Sequence, residues 1–153
     1  MKRTARVLLA LVVAGAVTAT GYAFDGSSAS DASGPLGPGL VNVDIRTRYS
    51  TFSISDLQVR EGTLVRFLVH NDDPINHELV VGPPAVHRAH ERGGELVHPP
   101  VPGEVSIGPN DTGETVYRFD RPGTVVFACH LPGHLKYGMR GEIDVVPAEA
   151  ESE

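Results

Sequence analysis

Between residues 40 and 146 the chain alternates apolar and polar side chains in short runs, and each run is closed by a turn-forming cluster. In Leu40-Val41-Asn42-Val43-Asp44-Ile45 every second residue is apolar. That is the period of a strand with one face buried. Phe52 and Ile54, then Leu57 and Val59, predict a bent second strand. Gly62 opens Thr63–His70 (TLVRFLVH), rich in β-branched residues, with Leu64, Phe67 and Val69 expected in the core. Further strands are expected at His77–Val81, Glu104–Ile107, Thr115–Asp120, Thr124–Cys129 and Gly141–Val146. Asn71-Asp-Asp-Pro74, Gly82-Pro-Pro84, Pro109-Asn-Asp-Thr-Gly113 and Arg121-Pro-Gly123 punctuate them as turns. About seven to eight short strands at this spacing predict an all-β, Greek-key β-sandwich of roughly 100 residues. No segment after the first 24 residues holds a helical period, and Pro83 to Gly103, rich in Pro and His, is expected to be one long loop. A loop of that length in a small domain is usually functional or covers an edge.

The two ends read differently. Lys2, Arg3 and Arg6 precede an apolar run from Val7 to about Val17, followed by small residues. This is the layout of a secretory signal peptide over residues 1–24, with an uncleaved membrane anchor through residues 7–24 as the other reading. Residues 25–39 (DGSSASDASGPLGPG) hold too little apolar surface to pack and are expected to be a flexible tether. Residues 147–153 form a short acidic tail.

Composition then narrows the classes of function. The chain has 153 residues, with 13 Lys and Arg against 19 Asp and Glu. Without Lys2, Arg3 and Arg6, ten basic side chains face the 19 acidic ones. An acidic domain lacks the basic face that neutralises phosphates, so no nucleic-acid partner is expected. Cys129 is the one cysteine, which excludes an intramolecular disulfide.

That cysteine lies in Ala128-Cys129-His130-Leu131-Pro132-Gly133-His134-Leu135-Lys136-Tyr137-Gly138-Met139, where Cys, His and Met recur at five-residue intervals between two expected strands. His77 begins a strand far upstream. Singly, such residues are usually inert packing or surface groups. Jointly, thiolate, imidazole and thioether are the ligands copper takes, and two His with one Cys and a distant Met is the electron-transfer arrangement. An unpaired cysteine in an exported chain also needs a reason to exist, which metal ligation supplies.

The segment from about Leu40 to Val146 resembles the cupredoxins, the blue or type 1 copper fold, and its ligand-loop length is most similar to auracyanin-like members. NHELVVG around His77 and RPGTVVFACH before Cys129 carry the likeness. The resemblance implies one copper ion with His77, Cys129 and His134 as equatorial ligands and Met139 as the axial one. Two positions depart from it. Where many cupredoxins have an Asn that ties the two ligand loops together, this chain has Glu78, a carboxylate able to alter the colour or coordination of the centre. His130 directly follows the cysteine, as in multicopper oxidases, yet position 128 is Ala and the His-x-His pairs of their three-copper site are missing. A dinuclear centre with two cysteines is excluded.

The resemblance implies a non-enzymatic, monomeric one-electron carrier outside the cytoplasmic membrane. A redox partner would dock transiently near His134, on Leu131, Pro132, Leu135 and Tyr137. The alternative is an extracytoplasmic copper-binding protein for delivery or resistance, suggested by Glu78 and by His87, His90 and His98 in the long segment. An oxidase-like enzyme would need further His ligands from a second domain or subunit. His87 and His90 have the spacing to share a second metal, but a solvated polar loop is the expected reading. His70 is given no role. A metal-free secreted sandwich is the remaining contrast, in which Cys129→Ser changes nothing.

Overall fold

In the computed structural model, residues 34–93, 97 and 99–148 are described. The expected leader and His98 lie outside them, as do most of the tether and the end of the tail. Among the described residues, nine strands form two sheets. The first sheet has the order β2-β1-β4-β7, made of β1 (Leu40–Arg48), β2 (Thr51–Phe52), β4 (Thr63–Asn71) and β7 (Thr112–Phe119). The second has the order β3-β9-β8-β5-β6, made of β3 (Asp56–Arg60), β5 (His77–Gly82), β6 (Glu104–Ile107), β8 (Gly123–Ala128) and β9 (Arg140–Val146). β1 runs parallel to β4 and β3 parallel to β9, while the other pairs are antiparallel. The all-β sandwich is therefore as expected. Its core is Val43, Ile45, Val65, Phe67, Val69, Leu79, Val81, Val105, Ile107, Phe119, Phe127, Ile143 and Val145, drawn from the inner faces of both sheets.

Four details correct the sequence reading. The bent second strand is two strands in different sheets: β2 pairs with β1 and β3 with β9. Between them, Ser53 accepts a hydrogen bond from Arg46 N at 2.9 Å and Ser55 O accepts one from Glu142 N at 2.9 Å, so one short segment bridges both layers. Leu64 is not in the core, because side chains alternate across a strand and the inward set of β4 is Val65, Phe67 and Val69. The segment after Pro83 is not loop throughout, since Pro84–Glu91 forms helix α1. Proline at its first turn pre-sets the backbone angle there and gives up only an amide that would have no intrahelical partner. Finally, the packed chain starts before residue 40: Leu36 bonds Gln58 O and Arg60 N and packs on the core.

β5 is buried along its whole length. Leu79 and Val81 face the core, while α1 lies over the end of the opposite face, with Val86 against Gly82. This strand, neighboured by β8 and β6, positions the chemistry. The β8–β9 pairing needs glycine at Gly141, opposite Phe127, because an added Cβ would lie 2.1 Å from Phe127 Cζ and 2.6 Å from Ser55 O. Gly141→Ala is accordingly expected to destabilise the domain by about 1–3 kcal/mol, the usual cost of overpacking, read from urea unfolding. An unchanged midpoint would show that Phe127 yields without cost.

Candidate metal centre

His77 is the first residue of β5, and Cys129 follows the last residue of β8. Because β5 and β8 are paired neighbours, His77 and Cys129 emerge at the same end of the sheet. The chain after Cys129 loops over them, closes a short 3₁₀ turn at Leu135–Tyr137, and passes through Gly138 at φ 94° into β9. That left-handed angle is one glycine adopts without a side-chain clash. Three backbone bonds tie the loop: Cys129 N to Met139 O at 3.1 Å, Met139 N to His134 O at 3.0 Å, and His134 N to Leu131 O at 3.0 Å.

The loop brings three of the four expected ligand residues into one cluster. A nitrogen of His77, a nitrogen of His134 and Cys129 Sγ all lie within 4.8 Å of one another. His134 Nδ1 is 3.3 Å from Sγ, and the two imidazole centroids are 4.8 Å apart. His77 and Cys129 are buried and His134 is partly exposed. Met139, the expected axial residue, is fully buried and hydrogen-bonded by its backbone to both Cys129 and His134.

Asp73 sets how His77 is presented. Its Oδ2 lies 2.9 Å from His77 Nε2, and an ionised carboxylate only accepts, so Nε2 carries the proton. Nδ1 is then a bare lone pair, buried and without a hydrogen-bond partner. An orphaned acceptor facing a thiol and a second imidazole fits a cation that soft and borderline ligands bind, and copper is such an ion. The carboxylate behind the imidazole is the usual support of a metal-binding histidine. Burial alone would raise the Asp73 pKa, but hydrogen bonds from Ser50 N and Tyr49 N, with His77, outweigh it and hold the carboxyl below its ordinary value.

Electrostatics keep the cluster ready for a metal. Burial lowers the pKa of both His77 and His134, which favours the neutral imidazole with one nitrogen free of a proton. Burial pushes the Cys129 thiol up to about 11, against main-chain N–H groups of Glu78 and Leu131 directed at it. A metal must therefore displace the thiol proton.

Glu78 does not turn toward the cluster. Its Oε1 accepts from His130 N at 2.6 Å, so it ties the β5 end to the Cys129 loop, the role that the resemblance assigns to Asn. Its Oε2 lies 3.6 Å from His90 Nδ1. The second-metal pairing of His87 with His90 is not what the structure builds. His87 is buried on α1 and faces His130, while His90 faces Glu104 and Glu78. Sequence reasoning missed Asp73. Adjacent Asp72 carries the same chemistry but turns outward to pair with Arg46 at 2.7 Å, and nothing in the local sequence distinguishes the two.

The sandwich is that of the cupredoxins, and a His77, Cys129 and His134 cluster able to hold a metal lies at one end of it. No family model matches the chain, but copper-resistant cuproprotein CopI of Rubrivivax gelatinosus is 35% identical over 136 residues, covering 82% of each chain. The chain belongs to the CopI family of copper-resistant cuproproteins. CopI of Pseudomonas aeruginosa is 24% identical over 123 residues, covering 60% of this chain and 68% of that one. Among solved structures, auracyanin B matches with a TM-score of 0.56 and 25% identity over 69% of this chain and 88% of that one. Reduced auracyanin of Roseiflexus castenholzii matches in fold, with a TM-score of 0.59 and 20% identity over 74% of this chain and all of that one.

Asp73→Asn keeps an acceptor for His77 but removes a negative charge that favours the more highly charged Cu(II). The reduction potential of the copper-loaded protein is expected to rise by tens of millivolts, on the order of 50 mV, in voltammetry. No change would show that the carboxylate does not act on the metal, and a fall would contradict the charge argument.

Proposed function

We propose that this chain is an exported, monomeric type 1 copper protein that binds one ion at this centre and passes one electron at a time, without catalysing a reaction of its own. The observation that carries the reading is the bare, buried Nδ1 of His77 converging with Cys129 Sγ and His134 on one point. Copper held there supplies a one-electron couple. His77, Cys129 and His134 would hold it in the equatorial plane, and Met139 would close the axial side. Three converging protein side chains with Met139 behind them would fill the places around the ion, which supports a carrier over an enzyme that keeps a position open for substrate. Asp73, Glu78 and the Met139 backbone bonds fix the ligands from behind, so little has to move when the charge on the metal changes.

The electron would leave through the partly exposed His134. Around it lie Leu131 and Leu135, both half-buried, with exposed Pro132 and Tyr137, the last 82% exposed. This small apolar rim suits transient docking of a redox partner protein rather than a permanent complex. Export rests on the charged and apolar pattern of residues 1–24, and a membrane tether would run through residues 7–24. Among the described residues no helix is long and apolar enough to cross a membrane.

A second reading, extracytoplasmic copper binding for delivery or resistance, is favoured by the 35% identity to a protein named for copper resistance. It keeps the same centre and differs in what leaves the protein, a copper ion rather than an electron.

The test is the visible spectrum of the full chain with Cu(II), beside Cys129→Ser. An intense thiolate-to-copper absorption is expected in the parent and none in the variant. Copper at about a hundred times its Kd should stabilise the parent by about 2.7 kcal/mol, with less in the variant. Copper bound with equal spectra in both proteins would contradict the thiolate centre.

A further inference from the structure

The tip of the first hairpin reaches the centre through Asp73. β1 and β2 pair Arg48 with Thr51, so Tyr49 and Ser50 alone make the turn. Both stand in the left-handed region, at φ 55° and 53°. A two-residue turn of that kind matches the twist of its strands but is normally built from Gly, Asn or Asp, and a tyrosine there costs energy. What offsets the cost lies beneath the turn. Tyr49 N donates to Asp73 Oδ1 at 2.7 Å and Ser50 N to Asp73 Oδ2 at 2.8 Å. Successive main-chain N–H groups converging on one carboxylate make an anion-binding nest.

The nest does more than hold the turn. Asp73 Oδ2, which takes the Ser50 amide, also takes His77 Nε2–H at 2.9 Å. Among the described residues these three N–H groups are the donors to the carboxylate, and the Arg46 guanidinium pairs with Asp72 instead. Asp73 is only 6% exposed, so water hardly competes for it. Its main chain is fixed separately, with N donating to Asn71 Oδ1 at 3.0 Å and the carbonyl accepting from Asn110 N at 3.1 Å. Asn71 is buried and braced on Ile75 O and Gly108 O. A carboxylate with a fixed backbone and two fixed amides has one orientation, and His77 inherits it. Each amide also draws charge from the carboxylate, so the turn sets how much negative charge His77 feels behind its ligand nitrogen.

We propose that the Tyr49–Ser50 turn is a positioning element of the metal centre: its two amides orient Asp73, limit the charge that this carboxylate lends to His77, and so raise the reduction potential of a copper ion held there. The turn lies at the surface, with Tyr49 79% exposed, and acts from two hydrogen bonds away. The inference rests on the proposed function for its copper readout only, because the chain of hydrogen bonds from turn to His77 belongs to the metal-free protein as well.

The experiment replaces Tyr49 in the full chain by its α-hydroxy acid, which turns the Tyr49 amide into an ester and removes one donor while keeping every side chain. At a fixed ambient potential near the midpoint, the Cu(II):Cu(I) ratio should move roughly threefold toward Cu(II), a fraction of the worth of one charge-assisted hydrogen bond. The same exchange in Asp73→Asn, read at that variant's own midpoint, should leave the ratio in place. Ser50→Gly, which keeps the amide and suits φ 53°, should match the parent. In the metal-free protein, the His77 Nε2 proton should give a slowly exchanging low-field NMR signal in the parent and exchange several-fold faster in the ester. An unmoved ratio, a move toward Cu(I), an equal move in Asp73→Asn, or unchanged proton exchange would overturn the proposal. Should the ester protein not fold, the parent decides. Coupling is reciprocal, so binding Cu(I) should shift the amide proton resonances of Tyr49 and Ser50 more than those of Arg48 and Thr51, and a turn that does not respond would overturn the proposal. If copper does not bind through the thiolate, the proposed function fails and the proton exchange alone judges the turn.

Discussion

Two imidazoles and a thiol are pressed together in the interior, and the nitrogen that His77 turns toward the others has no hydrogen-bond partner. Burying a polar atom unpaired costs a folded protein about 1–3 kcal/mol. The neighbouring structure is arranged to keep that cost in place. Asp73 grips the far side of His77 and is itself gripped by the backbone of Tyr49 and Ser50. Held as it is, His77 Nδ1 offers a bare lone pair to an incoming cation.

The fold supplies this constraint by placing two ligand-bearing strand ends side by side. β5 is buried on both faces, so its register is strongly specified, and a slip of one residue would turn His77 away and Glu78 inward. Glu78 then fastens the strand to the ligand loop twice, through its main-chain N–H toward Cys129 and its carboxylate to His130 N. The same strand end and loop therefore define the centre.

Much of this was legible in the sequence because the residues concerned carry rare chemistry. One cysteine, with His134 and Met139 at even intervals and His77 at a strand start, leaves few other arrangements, and the alternation of β1, β4 and β9 is plain. What was not legible depends on direction in space. Asp72 and Asp73 are chemically alike, and only folding turns one to Arg46 and the other to His77. Helix α1 hides because it is short and His87 occupies its buried position, where a pattern search expects an aliphatic residue. Leu64 looked like core because it is apolar, yet the β4 register gives that place to Val65.

The central claim is that Cys129 Sγ, His77 Nδ1 and His134 Nδ1 hold one copper ion. X-ray absorption at the copper edge, on the full chain loaded with a single equivalent, addresses it most directly. The account predicts one short copper–sulfur bond and two copper–imidazole bonds. A shell made only of nitrogen and oxygen, with no short sulfur, would contradict it.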